Sequence, residues 1–268
     1  MKMVKLLGVM WFIGLFVIQP MSFAQETPKP EEIIAKSRLA FYYAGDDGRA
    51  RILMELIDKD GRKRIRELTM LRKDDQGGEE QKYFIYFHQP ADVKDMTFLV
   101  YKYSDKDADR WLFIPAIDLV KRIAANDKFS SFVGSDFTYE DVSGRNPNED
   151  THTFLRKDTL SGKECFVVES TPKQPSEYAK RISWIDTVNL LPLKEEFYDK
   201  QNELYRQFEA EEIKEIDGIP TITKRVVKNV KSGHRTEVSL QEVKYNLGIG
   251  DDIFSERYLR KPPLQWIK

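Results

Sequence analysis

The chain has 268 residues, of which 41 % are hydrophobic and 32 % charged, an apolar share that is enough for a packed core and excludes an intrinsically disordered protein. Its 43 basic and 44 acidic residues give a formal net charge of -1, which argues against a protein that binds nucleic acid through a basic surface. The single cysteine, Cys165, excludes an intramolecular disulfide and a cluster of thiolate metal ligands.

The N-terminus has the pattern of a secretory signal peptide. Lys2 and Lys5 precede an apolar run over residues 6–18, and Ser22-Phe23-Ala24 offers the small side chains that signal peptidase recognises. We therefore predict a signal peptide over residues 1–24, cleavage after Ala24 and an exported mature protein. The apolar run is shorter than the about 20 residues of a membrane helix, so a retained anchor is the weaker alternative.

One amphipathic helix is predicted at residues 31–44. Pro30 suits the first position of a helix, and Gly45 can end one in a left-handed conformation. Ile33, Ile34 and Phe41 recur at the spacing of a single buried helix face.

Almost everything after this helix has the pattern of β-strands. Asp60-Gly61 predicts a hairpin turn between strands at residues 51–56 and 64–72. Residues 117–125 fit a strand and a helix equally well. No long helix separates the strands, which argues against a parallel sheet, and no linker divides residues 25–268 into domains. Further strands are predicted at residues 82–89, 97–103, 110–115, 137–142, 165–170, 180–186, 193–198, 204–210, 221–230 and 236–245.

The strands predicted between residues 82 and 115 are apolar on both faces. An antiparallel sheet usually leaves one face in water, so both faces here need cover. A thick core with a second layer of sheet or loops explains this pattern as well as a cavity for an apolar ligand does. We expect Trp111 and Phe113 to face such a cavity, and Leu112 and Ile114 to face away. The candidate lining residues are Phe84, Tyr86, Phe98, Val100, Trp111, Phe113, Phe137 and Tyr139.

No motif of a known catalytic or metal site occurs in the sequence. G-x-S-x-G, the P-loop and H-E-x-x-H are absent. His88, His152 and His234 stand far apart, without the spacing of metal ligands, and Cys165 has the surroundings of a small buried apolar residue. We therefore expect no catalytic residue, cofactor or metal, and a protein that is not an enzyme.

Residues 221–230 and 236–245 place charged side chains along one face, the ordinary pattern of a half-exposed sheet.

Residues 95–142 carry a resemblance to a known family. The segment contains Asp109-Arg-Trp-Leu-Phe-Ile-Pro-Ala116, the basic pair in Val120-Lys-Arg-Ile123, and Gly134-Ser-Asp-Phe-Thr-Tyr-Glu-Asp141. It resembles the outer-membrane lipoprotein-sorting family related to the periplasmic carrier LolA, in the branch associated with exporters of the resistance-nodulation-division type. Residues 180–198, with Trp184-Ile-Asp186, are similar to the same branch.

The resemblance implies a mainly β (α+β) fold, in which a strongly curved antiparallel sheet forms an incomplete barrel with a helix lid. It implies a periplasmic carrier or chaperone that shelters the acyl chains of a lipid or lipoprotein on the way to the outer membrane. The implied partners are an inner-membrane exporter and, transiently, membranes. The predicted helix is the candidate lid, with Ile33, Ile34 and Phe41 as its candidate contacts. The alternatives are a non-catalytic periplasmic adaptor of a transporter and a lipid hydrolase.

Overall fold

The computed structural model describes residues 29–75 and 80–268. The predicted signal peptide, residues 1–24, lies outside the described residues. None of the helices in the described ranges is long and apolar enough to cross a membrane. These helices are α1 (Pro30–Tyr42), α2 (Tyr139–Ser143), α3 (Arg257–Arg260) and α4 (Leu264–Ile267).

The strands of the described residues form one antiparallel sheet. Their bounds are β1 (Asp47–Ile57), β2 (Lys63–Asp74), β3 (Gln81–Gln89), β4 (Thr97–Lys102), β5 (Asp109–Ile114), β6 (Leu119–Arg122), β7 (Asp150–Leu160), β8 (Lys163–Pro172), β9 (Lys180–Asp186), β10 (Pro192–Tyr198), β11 (Leu204–Ile216), β12 (Ile219–Asn229) and β13 (Arg235–Tyr245).

The order of strands across the sheet follows the chain except at one place. Strands β1 to β6 run toward one edge and β13 to β7 toward the other, and β1 pairs with β13 in the middle, with Met54 opposite Val238. Within the described residues β6 and β7 do not pair with each other, so the curved sheet stays open. The predicted mainly β fold with a curved, incomplete barrel is confirmed.

The inner face of the sheet carries the larger apolar core. Period-two alternation places every second side chain of a strand on this face. On β3 and β4 the inward side chains include Ile85 and Phe98, which are opposite each other and fully buried. Phe132 and Tyr139, from the connection between β6 and β7, pack on Phe98. This connection therefore fills the inner face next to β4.

The outer face of β2 to β5 is covered by residues 246–268, which follow the last strand. Phe254, Leu259 and Ile267 from this segment pack against outward side chains such as Leu71 and Leu99. We call residues 246–268 the C-terminal segment. It explains why these strands are apolar on both faces: one face meets the inner core and the other meets this segment.

Polar contacts fix the C-terminal segment to the sheet. The buried hydroxyl of Thr97 donates to the carbonyl of Leu259 at 2.8 Å. The Asp47 carboxylate accepts the backbone N–H groups of Leu247 at 2.6 Å and Ile249 at 2.7 Å. Because two backbone N–H groups bond to one buried carboxylate, the start of the segment is held at a defined place.

Most predicted elements are confirmed, and one is wrong. The helix predicted at residues 31–44 is α1, and the Asp60-Gly61 turn joins β1 to β2. The ambiguous residues 117–125 contain the strand β6. The strand predicted at residues 137–142 is instead the helix α2, because Thr138 and Asp141 form a reciprocal capping box. The polar edge strand β7 has no counterpart among the predicted strands.

Candidate functional site

A cavity opens on the inner face of the sheet beneath helix α1. It holds about 980 Å³ of atom-free space, a volume that includes the solvent at its open mouth. Its walls are mainly apolar, as a site for a hydrocarbon chain requires. The apolar lining residues include Phe41, Ala50, Ile52, Met70, Phe137, Phe197, Phe208, Val227, Leu240 and Val243.

Cross-strand pairs build the floor of the cavity. Ile52 on β1 lies opposite Leu240 on β13, and Phe208 on β11 lies opposite Val227 on β12. Directly opposed residues of an antiparallel pair point to the same face, so these apolar side chains meet on the inner face. The floor therefore spans the junction at which the two runs of strands are joined.

Helix α1 covers the cavity with its last turn. The ring of Phe41 meets that of Phe208 edge to face, with 6.0 Å between ring centroids. The first turns of α1 lie elsewhere: Ile33 and Ile34 are buried against Val168 and Ile185 on β8 and β9. The helix is therefore anchored at one end and closes the cavity at the other.

The C-terminal end of α1 is tied to the sheet by Arg72 and Gln81. The Arg72 guanidinium donates to the carbonyls of Tyr42 at 3.0 Å and Gly45 at 2.9 Å, and Gln81 Nε2 donates to the Tyr42 carbonyl at 2.7 Å. Asp74 holds Arg72 in place at 2.7 Å, and burial raises the pKa of this carboxyl. Carbonyls that a helix end leaves without partners thus find donors on β2 and β3.

Helix α2 forms one wall of the cavity through Asp141. The backbone N–H of Thr138 donates to Asp141 Oδ2 at 2.7 Å, and Arg206 on β11 donates to the same oxygen at 2.6 Å. The Tyr42 hydroxyl donates to the Asp141 carbonyl at 3.2 Å, and burial raises the pKa of this tyrosine. Helices α1 and α2 and strand β11 therefore all form hydrogen bonds with Asp141.

The cavity also contains charged side chains, and arginines outnumber carboxylates among them. Glu195 accepts from Ser183 at 3.0 Å and lies 3.4 Å from Arg181. Arg225 differs, because its Nε is buried without an acceptor and no hydrogen bond or ion pair joins its side chain to any of the described residues. Burial lowers the pKa of the Arg225 guanidinium. The charged lining residues are Arg49, Arg72, Arg206, Arg225, Asp141 and Glu195.

The structure separates the candidate lining residues into three groups. Phe137 lines the cavity. Phe98, Val100 and Tyr139 belong to the inner core but not to the cavity lining. The remaining candidates pack on the outer face with the C-terminal segment: Phe84, Tyr86, Trp111 and Phe113.

The expected orientation of strand β5 is therefore wrong. Trp111 and Phe113 point outward, where Phe113 is 8 % exposed, and Leu112 and Ile114 contact the inner core. Alternation assigns these residues to two faces but does not tell which face is the inner one. Trp111 and Phe113 face outward because the C-terminal segment covers that face of the sheet with apolar side chains.

The four arginines of the site, Arg49, Arg72, Arg206 and Arg225, are absent from the residues that the sequence suggested. Residues 221–230 were expected to present charges to solvent. Arg225, however, shares the inward face of β12 with the buried Thr223 and Val227. An arginine between two buried positions of one face is the signal that identifies it.

The three histidines lie outside the cavity lining, and each has an ordinary hydrogen-bond partner. Within residues 29–75 and 80–268, no group of three or more His, Cys, Asp or Glu side chains could hold a metal ion. His88 lies 2.8 Å from the Thr69 hydroxyl, His152 lies 2.9 Å from that of Ser170, and His234 lies 2.7 Å from Asp136.

Comparisons with known proteins agree with this fold. A family model described as an uncharacterized protein matches residues 79–261. A DUF1329 family protein from Desulfovibrio piger has a TM-score of 0.79 and 27 % identity, over 87 % of this chain and 100 % of that chain. A putative outer membrane lipoprotein-sorting protein domain from Vibrio parahaemolyticus has a TM-score of 0.80 and 27 % identity, over 87 % and 98 % of the two chains.

A third solved structure shows the fold alone. It is a LolA superfamily protein from Nitrosomonas europaea, with a TM-score of 0.67 and 19 % identity, over 87 % of this chain and 100 % of that chain. No curated protein matches the chain.

Proposed function

The chain belongs to the DUF1329 family, a family of uncharacterized proteins with the LolA-like fold, and on this premise we propose that it is a periplasmic carrier. It shelters the acyl chains of a lipid or lipoprotein during transport toward the outer membrane. The observation that carries the proposal is the apolar cavity beneath Phe41 at the end of α1.

The free energy of hydrocarbon transfer supports a carrier. Each methylene of an acyl chain that is exposed to water costs about 0.8 kcal/mol, so long chains leave a membrane slowly without help. A cavity floored by Ile52, Phe208 and Leu240 replaces that water with apolar contacts. Such transfer needs no catalytic group, and we accordingly place the protein among non-catalytic carriers.

Loading and release require the cover to move. The contact of Phe41 with Phe208 and the hydrogen bonds from Arg72 and Gln81 to Tyr42 hold α1 over the cavity. The first turns of α1 stay packed on β8 and β9 through Ile33 and Ile34 in this proposal. The C-terminal turn is then the part that opens.

The proposal extends to compartment and partners. Residues 1–24 act as a cleaved signal peptide, and residues 25–268 form one carrier domain, an arrangement that the single sheet of the described residues supports. An inner-membrane exporter of the resistance-nodulation-division type supplies the cargo, and the carrier touches membranes transiently.

Native mass spectrometry and lipid extraction of protein purified without detergent test the carrier function. We expect bound lipid in the unmodified protein and little in Ala50→Phe, where the larger side chain occupies the cavity. Val188→Phe, at a position that is 89 % exposed, is the matched control and keeps its lipid. An empty unmodified protein would support the adaptor instead, and turnover of added lipid would support a hydrolase.

A further inference from the structure

Arg225 is the one charged side chain of the cavity lining that has no partner among the described residues. Neither a hydrogen bond nor an ion pair engages it, and its Nε atom is buried without an acceptor. The other arginines of the lining are engaged: Arg49 by the carbonyl of Lys268 at 2.8 Å, Arg72 by Asp74 at 2.7 Å, and Arg206 by Asp141 at 2.6 Å and Glu177 at 2.7 Å.

The surroundings of Arg225 are aromatic and apolar. Its guanidinium carbon lies 5.4 Å from the ring centroid of Phe41, on the cover, and 5.7 Å from that of Phe137. Ala210 and Val238 are its neighbours across the strands. Burying the Nε–H of a guanidinium without an acceptor is unfavourable, so the site favours a ligand that brings one.

The carboxylates nearby do not supply that acceptor. Asp141 is engaged by Arg206 and by the N–H of Thr138, and Glu195 is engaged by Arg181 and Ser183. The described residues therefore leave the Arg225 Nε–H without an acceptor, and a ligand in the cavity can supply one.

We propose that the cargo is an anionic amphiphile whose carboxylate or phosphate pairs with Arg225 while its alkyl chain lies on the apolar floor. The planar guanidinium presents parallel N–H donors that match either group. The position of Arg225 beneath Phe41 places the head group under the cover, and the floor around Ile52 and Leu240 receives the chain. This inference rests on the proposed carrier function and names the class of its cargo.

Isothermal titration of delipidated full-length protein tests the inference. The probes are hexadecanoate, hexadecyl phosphate, hexadecanol and acetate, so that chain and charge are varied separately. We expect both anionic amphiphiles to bind at least about tenfold more tightly than hexadecanol, and acetate not to bind measurably. Arg225→Met removes this preference but keeps hexadecanol binding, whereas Arg225→Lys keeps part of the preference.

Arg235→Met is the matched control, because Arg235 lies on the neighbouring strand β13 and pairs with Glu237 at the surface. It leaves all affinities unchanged. Equal affinity for hexadecanol and the anionic amphiphiles overturns the inference and leaves the carrier function standing. Binding of acetate as tight as that of hexadecanoate also overturns it, since the site would then take free anions. If none of the three amphiphiles binds, the carrier function itself fails.

A folded Arg225→Met that loses hexadecanol as well as the anions would show that Arg225 shapes the cavity and does not pair with a charge. Thermal unfolding of each variant establishes that it is folded. We expect Arg225→Met to unfold at or above the temperature of the unmodified protein, because the substitution removes a cation that has no partner.

Discussion

Nη1 of Arg206 lies 2.6 Å from Oδ2 of Asp141, and this ion pair joins the middle of the sheet to the helix that walls the cavity. The second guanidinium nitrogen of Arg206 contacts Glu177 at 2.7 Å. The Arg206 side chain is buried, so its removal leaves two carboxylates without their cation. We predict that Arg206→Met lowers the free energy of unfolding by about 3 kcal/mol.

Urea denaturation measures this loss. The control is Arg235→Met, which breaks an ion pair with Glu237 where the Arg235 side chain is 41 % exposed, and costs less than about 1 kcal/mol. Similar losses in the two variants would show that the buried pair contributes no more than a surface pair.

The cover can be weakened without removing the helix. We predict that Phe41→Ala releases bound hexadecanoate about tenfold faster, because about 1.4 kcal/mol of apolar contact with Phe208 and the cargo is lost. Stopped-flow displacement by a fluorescent fatty acid measures the rate. Leu39→Ala, on the same helix at a position that is 48 % exposed, should release at the unmodified rate. Equal rates in both variants would place the gate elsewhere.

Substitutions on the outer face of the sheet should affect stability, and substitutions on the inner face should affect the amount of bound lipid. Phe113→Ala on the outer face is expected to lower the free energy of unfolding by about 3 kcal/mol and to leave the bound lipid unchanged, because Phe113 packs with the C-terminal segment. Phe208→Ala is expected to reduce bound lipid, because Phe208 lines the cavity. Urea denaturation and lipid extraction of both variants test this. Lipid loss in Phe113→Ala alone would reverse the assignment of faces.

His88 makes stability depend on pH. Burial, followed by the charge of Arg51, lowers the pKa of His88 in the folded protein below the ordinary value of about 6.5. As pH falls below about 6.5 the unfolded chain takes up this proton first, so stability declines until the pH reaches the folded pKa. The decline is at most about 1.4 kcal/mol per pH unit.

His88→Gln replaces the imidazole near the Thr69 hydroxyl with an amide that can still hydrogen-bond, and it removes the titration. Chemical denaturation between pH 7 and pH 5 should show a smaller decline for this variant than for the unmodified protein. Parallel curves would mean that His88 titrates alike in the folded and unfolded states.

The sequence predicts the elements of this fold better than it predicts their orientation. Apolar spacing identified α1 through Ile33, Ile34 and Phe41, and alternation identified most strands. Alternation on β5 gives two apolar sets, and only the packing of the C-terminal segment on Trp111 and Phe113 tells which set is outward. That segment has short helical turns with no sustained period, so its role depends on contacts distant in the chain.

The candidate site was predicted only in part, because its charges are set by tertiary contacts. Phe41 and Phe137 were among the candidates and do line the cavity. Thr138 and Asp141 carry a capping-box spacing that marks a helix start, although residues 137–142 were predicted to form a strand. Arg225 was expected at the surface, since charges along a strand usually mark its solvated face.

Among the described residues β1 is the first strand in the chain and β13 the last, and the sheet is continuous only when these two strands pair. The ladder that closes at Ile57 and Arg235 joins residues far apart in the chain, and pairing of this kind slows folding because a long loop must be closed first. Until β13 arrives, one edge of β1 keeps its backbone groups unpaired beside Ile52 and Met54, and such an edge can pair with another chain. A chain in which β13 has not yet paired is therefore exposed to aggregation, and a version that stops before β13 should accumulate as insoluble material.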